Sequence, residues 1–92
     1  MPLNEIEAKI KSVLVDKLQF DPVILQDCSL LTPLLGRGLG LDSIAAMVLA
    51  SGIEEEFDIQ VDDEDLSEAL FENLASLVHY VDLKITKGDN HQ

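Results

Sequence analysis

The stretch "GRGLGLDSIAAMVLASGIEEEF", Gly36 to Phe57, decides how this chain is read. Gly36, Gly38 and Gly40 alternate with bulkier residues and lead into Asp42, Ser43 and an unbroken apolar run. Glycine tolerates positive φ and takes no side-chain space, so the first part is a loop that another macromolecule can approach closely. Asp42 and Ser43 are both residue types that accept a hydrogen bond from a free first-turn amide, so a helix is expected from Ser43 to Phe57. "IAAMVLA", Ile44 to Ala50, is seven apolar residues in a row. A helix packs one stripe on a core, so part of this run faces outward or covers something. On a helical wheel Leu49, Ile53 and Phe57 share one side, while Ile44, Val48 and Glu55 share another. That leaves an apolar strip at the end nearest Ser43, and exposed strips of this kind mark contact surfaces.

Upstream, apolar residues at Ile6, Ile10, Val13, Leu14 and Leu18 recur at helical spacing, predicting a helix from Asn4 to Leu18 with Asn4 or Pro2 near its start. Between Gln19 and Asp42, two prolines and three glycines forbid a long regular element. A connection so much longer than the usual ~4–6 residues has a function or contains a short helical turn. Leu25, Leu30, Leu31, Leu34 and Leu35 are available to anchor it. Downstream, "FDIQV" reads as an extended connector and "DDEDLSEAL" as a short third helix with acids in its opening turn. Asn73 can cap a last helix carrying Leu74, Leu77, Val78, Val81 and Ile85. The expectation is an all-α, four-helix, mostly antiparallel bundle with a long loop between its first two helices and a short third helix. It forms a single domain over 1–92, ordered over about 4–86, with a flexible tail at 87–92.

Composition narrows the function. The formal charge is −12 on 92 residues, so the chain repels phosphate backbones and anionic lipid surfaces and attracts basic protein patches. Nucleic-acid binding is not expected, although an acidic protein that mimics DNA fits the charge alone. Cys28 is the single cysteine, which rules out an internal disulfide, and no Cys/His cluster has metal-site spacing. The N-terminal region lacks a signal-type apolar block and no run is long enough to span a bilayer, so a cytoplasmic monomer without membrane insertion is expected.

Other chemistry fits poorly. "DDEDLSEALFEN" is acidic, but an EF-hand loop started at Asp63 would put Glu68 where glycine is needed and Leu74 where the closing glutamate is needed. A serine hydrolase needs small residues flanking its nucleophile and a histidine base, whereas Ser43 stands in "LDSIA". His79 reads as a surface residue and His91 lies in the tail. Cys28 reads as a half-buried small apolar residue. A phosphodiester on Ser43 would instead meet the free amides and dipole of a helix start, which favour an anion by about 0.3–1 kcal/mol.

"GLGLDSI" followed by a helix ending "IEEEFDIQV" closely resembles the acyl carrier proteins and related thiolation domains. The likeness covers nearly the whole chain, including the long first loop, the acidic short helix and "LFENLASLVHYV". It implies that Ser43 carries 4'-phosphopantetheine taken from coenzyme A, and that Asp42 helps recruit the metal-dependent phosphopantetheinyl transferase. It further implies that the protein is a tether and not an enzyme. Acyl-loading, condensing or acyl-transfer partners with basic and apolar docking faces would meet Ile44, Met47, Val48, Glu54, Glu55 and Glu56. The commonest carriers of fatty-acid synthesis have acids where this chain has Ala45 and Val48, and "LLGRGLGLDSI" looks more like carriers dedicated to one pathway. The cargo is then an acyl group of fatty-acid, polyketide or related specialised lipid synthesis. An aminoacyl or peptidyl carrier of the same fold and an acidic interaction protein are the alternatives.

Overall fold

The computed structural model describes residues 1–87, with backbone alone at Lys87. It contains four helices, α1 (Leu3–Leu18), α2 (Pro22–Gln26), α3 (Ser43–Phe57) and α4 (Leu74–Lys87), and one 3-10 turn at Asp63–Asp65. Among the described residues there is no strand, and a single isolated bridge joins Leu35 to Leu41. The all-α class expected from the sequence is therefore the one observed. The tail expected over 87–92 begins inside α4, and 88–92 lie outside the described residues.

α1 is the common wall of the bundle, packing on both α3 and α4. Its buried residues Ile6, Ile10, Val13 and Leu14 are four of the five read from the periodicity. Pro2 starts it by accepting from the amides of Glu5 and Ile6, and Gln19 ends it in the left-handed region at φ 64°. On α3 the buried face is Ala46, Leu49, Ala50, Gly52 and Ile53. Gly52 lets α1 pack closely on α3, because a Cβ there would lie 2.5 Å from Val13 Cγ1. α4 buries Leu74, Leu77, Val78 and Val81. Asn73 caps it as expected, its Oδ1 accepting from the Ser76 amide at 2.9 Å.

The long connection contains a short helix of its own. Asp21 Oδ1 accepts from the Val23 amide at 2.9 Å and Pro22 supplies the preset φ, so five residues coil before the chain turns again. Leu25 and Leu34 are buried and Leu35 partly so, but Leu30 and Leu31 are exposed and do not anchor the loop. The reason is a tight turn closed by Ser29 and Thr32, in which the Ser29 amide donates to Thr32 Oγ1 and the Leu31 amide to Ser29 Oγ. Both leucines ride on its outside, while the Leu30 and Thr32 carbonyls accept from the Ala75 and Leu74 amides at the start of α4.

The short third helix expected over "DDEDLSEAL" is reduced to the single 3-10 turn, followed by turns and bends to Asn73. Four acids in succession, Asp62 to Asp65, repel one another at helical spacing, and Leu66 leaves the turn with an extended ψ of 95°. Ser67 then closes a separate turn, its carbonyl accepting from the Leu70 amide. The connector expected over "FDIQV" is shorter than the sequence suggests. Phe57 still belongs to α3 and Asp58 ends it in the left-handed region, leaving Ile59 to Val61 outside any helix, with Ile59 and Val61 buried and Gln60 exposed.

Candidate functional site

Ser43 is the first residue of α3 and is exposed. Of the two capping residues read from the sequence, Asp42 acts as the cap: its Oδ1 accepts from the Ala45 amide at 2.8 Å and its carbonyl from the Ala46 amide at 2.9 Å. The Ser43 hydroxyl has no partner among the described residues and is left to solvent.

The glycine loop that delivers Ser43 is a built structure. Its ends meet at the Leu35–Leu41 bridge, closed by the Leu41 amide donating to the Leu34 carbonyl at 3.0 Å. Gly36 and Gly40 have φ of +59° and +73°, a region that other residues enter at a cost. Gly38 lies against Pro33, where any Cβ would collide with the backbone. The three glycines thus serve the loop's own geometry, a role their spacing did not announce.

Beside Ser43 opens a groove of about 380 Å³. Ala46 and Met47 of α3 form one wall with Leu35 and Leu41 of the loop, and Leu66 and Phe71 form the other. Ser67 and Glu68 stand at its polar rim. Leu66 and Phe71 were not singled out by the sequence reading, although Phe71 is one of only four aromatic residues in the chain, three Phe and one Tyr.

The residues read as docking positions separate into two groups. Ile44, Met47 and Val48 are 75%, 55% and 37% exposed and form the apolar front of α3 nearest Ser43. Glu54, Glu55 and Glu56 at the other end are each engaged within the chain. Glu54 Oε2 accepts from the Val61 amide at 2.7 Å, Glu55 pairs with Lys17 at 3.2 Å, and Glu56 pairs with Lys9 at 3.3 Å. The two ion pairs are exposed and so contribute little, whereas Glu54 is part of the helix end.

Tyr80 on α4 donates from its hydroxyl to Asp65 Oδ2 at 2.7 Å, and Lys84 pairs with Asp62 at 3.3 Å while lying 5.5 Å from the Tyr80 ring centre. Burial first, and then the hydrogen bond to Asp65, push the Tyr80 phenol up to about 12. Among the described residues no group of three acids, histidines or cysteines could hold a metal ion, and no helix is long and apolar enough to cross a membrane. His79 is exposed on α4, and Cys28 is half-buried with its thiol directed to the Ile24 carbonyl.

An exposed, unpartnered serine hydroxyl at a helix start beside an apolar groove suits a long covalent arm, and the family match agrees. A family model described as "Phosphopantetheine attachment site" matches residues 8–81. The chain belongs to the acyl carrier protein family. It is 34% identical over 70 residues to the acyl carrier protein of Desulforapulum autotrophicum, covering 74% of this chain and 84% of that one. With the acyl carrier protein of Akkermansia muciniphila it shares 31% over 80 residues, 86% of this chain and 91% of the other. With that of Karelsulcia muelleri it shares 36% over 69 residues, 74% and 76%. As an acyl carrier protein it bears its cargo through 4'-phosphopantetheine.

Proposed function

We propose that Ser43 is the attachment residue of this carrier, that the protein does no catalysis itself, and that it works as a cytoplasmic monomer in a dedicated lipid or polyketide pathway. The observation that carries the assignment is the free, exposed Ser43 hydroxyl one residue after the Asp42 cap. Ser43 Oγ supplies the nucleophile in the active site of a phosphopantetheinyl transferase. There the new phosphoester bond would form as the P–O–P bond of coenzyme A breaks, adenosine 3',5'-bisphosphate leaving and the hydroxyl proton passing to the transferase or solvent. Asp42 has one carboxylate oxygen committed to Ala45, and its other oxygen remains for the transferase's metal ion. Once bound, the arm supplies a terminal thiol that holds an acyl group as a thioester.

The chain's own residues then do three things. The helix start, with the Ser43 and Ile44 amides outside the Asp42 cap, favours the anionic linkage. The groove walled by Met47, Leu66 and Phe71 shelters an apolar cargo from water. The Ile44, Met47 and Val48 front meets partner enzymes, with Glu54, Glu55 and Glu56 as a weaker, internally compensated acidic region behind it. Tethering raises the cargo's effective concentration at a partner's site.

Intact-mass measurement after incubation with coenzyme A, magnesium and a broad-specificity transferase tests the assignment. One phosphopantetheinyl group is expected on the wild type and none on Ser43→Ala. Equal modification of both would remove Ser43 from the site, and no gain on the wild type would overturn the carrier reading.

A further inference from the structure

The groove beside Ser43 has two walls of different character. The α3 side is helix, held by the Asp42 cap and the buried Ala46 and Leu49. The opposite side is the stretch 62–73, which has no regular structure beyond the 3-10 turn. Its entry is fixed where Val61 is bound by Glu54, and its exit where the Leu74 amide donates to the Thr32 carbonyl at 3.2 Å. Between these points the backbone bonds of Leu66 and Leu70 go to Asp63 and Ser67, inside the same stretch. Leu66 is partly buried against the core, while the exposed Ser67 and Glu68 take their position from what holds the two ends of their own short span. At one end that is the buried pair Leu70 and Phe71. At the other it is Asp65, held from α4 by Tyr80, with Asp62 held by Lys84 one helical turn further on.

We propose that the Tyr80–Asp65 hydrogen bond, braced by Lys84–Asp62, is the latch that fixes the outer wall of the groove and so sets the length of acyl chain that the carrier shelters. This rests on Ser43 being the attachment residue. At about 380 Å³ the latched groove is near the small end of ligand sites, so a short or medium chain fits and a long one has to push the wall outward. Leu66 directly follows Asp65, with Cα atoms about 3.8 Å apart, so the wall cannot move far without drawing the carboxylate from the phenol. Tyr80 does not follow, because Leu77, Val78 and Val81 around it are buried in the bundle. A span with few backbone bonds to its neighbours opens locally without unfolding the rest. Tyr80 is a positioning residue in this scheme and touches no reacting atom.

The test uses the full chain loaded on Ser43 with butanoyl, octanoyl or hexadecanoyl arms from the matching acyl-coenzyme A, checked by intact mass. Two readouts at neutral pH are hydrogen exchange over 62–69 and the rate of thioester cleavage by hydroxylamine. In the wild type, exchange of the Asp65 and Leu66 amides, the two in this span that donate hydrogen bonds, is expected to stay slow with butanoyl and octanoyl and to rise several-fold with hexadecanoyl. Tyr80→Phe and Asp65→Ala should exchange fast with every cargo. They should also protect the hexadecanoyl thioester several-fold better than the wild type does, while octanoyl is protected equally in all three. Exchange that ignores chain length in the wild type, or an identical length profile of protection in the variants, overturns the latch. If either variant loses its helical circular dichroism, the chain-length dependence of the wild type decides alone. Failure of Ser43 to load at all overturns the attachment reading and this inference with it, and intact mass distinguishes that result from the others.

Discussion

The Glu54 carboxylate accepts a 2.7 Å hydrogen bond from the Val61 amide, seven residues on, and the Glu54 carbonyl accepts from the Ile59 amide. The end of α3 and the extended connector are thereby joined through one residue that the sequence offers as part of an acidic docking run. Its neighbours Glu55 and Glu56 reach across to Lys17 and Lys9 on α1.

From this, Glu54 and Glu55 should differ in stability effect. Glu54→Ala leaves a part-buried amide without its charged acceptor and is expected to cost about 1–3 kcal/mol. Glu55→Ala breaks an exposed pair worth about 0–1 kcal/mol. Urea unfolding of the two variants beside the wild type measures the difference. Equal small losses would mean that the Glu54 bond contributes nothing in solution.

Tyr80 makes an alkaline prediction. Its phenol has to remain protonated to donate to Asp65, and its folded pKa is pushed up to about 12 from an ordinary value of 10.0. A raised folded value stabilises fully below the unfolded pKa and the contribution fades as pH climbs through the folded one. Stability from this residue should therefore be complete below about pH 10 and lost between about pH 10 and 12. Tyr80 is the single tyrosine and there is no tryptophan, so phenolate absorbance reports it alone. Asp65→Asn should lower the midpoint without returning it to 10, since burial is the larger cause.

The loop glycines are predicted to differ in cost. A Cβ at Gly36 meets nothing within 4 Å, so Gly36→Ala suffers only from its φ of +59°, about 1–2 kcal/mol. Gly38→Ala collides with the Pro33 backbone, which cannot rotate away as a side chain would, and should cost at least as much, about 1–3 kcal/mol, while displacing the loop. Slower phosphopantetheinylation of Gly38→Ala than of Gly36→Ala would show the displacement reaching Ser43. The reverse order in both assays would contradict the loop geometry.

At the helix start, Asp42→Ala should lose about 0.5–2 kcal/mol with the cap, and Ser43→Ala almost nothing, because its hydroxyl is unpartnered. Thermal unfolding of both settles which residue caps α3. A Ser43→Ala loss as large as that of Asp42→Ala would reverse the assignment.

Much of this was legible in the sequence because local chemistry wrote it. Ile6, Ile10, Val13 and Leu14 repeat at helical spacing, Asn73 is a capping residue before an apolar run, and the start of α3 at Ser43 follows from Asp42 and the glycines before it. The third helix was not, since the preference of acids for a first turn competes with their repulsion and with the turn closed by Ser67. Leu30 and Leu31 misled because hydrophobicity says what a residue prefers, while the Ser29–Thr32 turn says where the backbone lets it point. The engagement of Glu54, Glu55 and Glu56 and the Tyr80–Asp65 bond are tertiary, joining residues whose spacing carries no periodic signal.

The pairing of those acids sharpens what a partner should find. With Glu55 and Glu56 facing lysines and Glu54 bound to an amide, the front of α3 offers Ile44, Met47 and Val48 with little uncompensated negative charge to steer a basic docking patch. A general fatty-acid ketosynthase with such a patch should elongate cargo on this carrier slowly. Val48 is 37% exposed, so Val48→Glu is accommodated without burying a charge. It should raise that rate several-fold at low salt, with the gain shrinking once ionic strength brings the screening length to about 8–10 Å. The same change should weaken transfer to the carrier's own apolar-grooved partner. Elongation rates for wild type and variant at two salt concentrations measure both effects. Wild-type turnover equal to that of a general carrier, with Val48→Glu and salt making no difference, would show that the apolar front of α3 has no part in choosing partners.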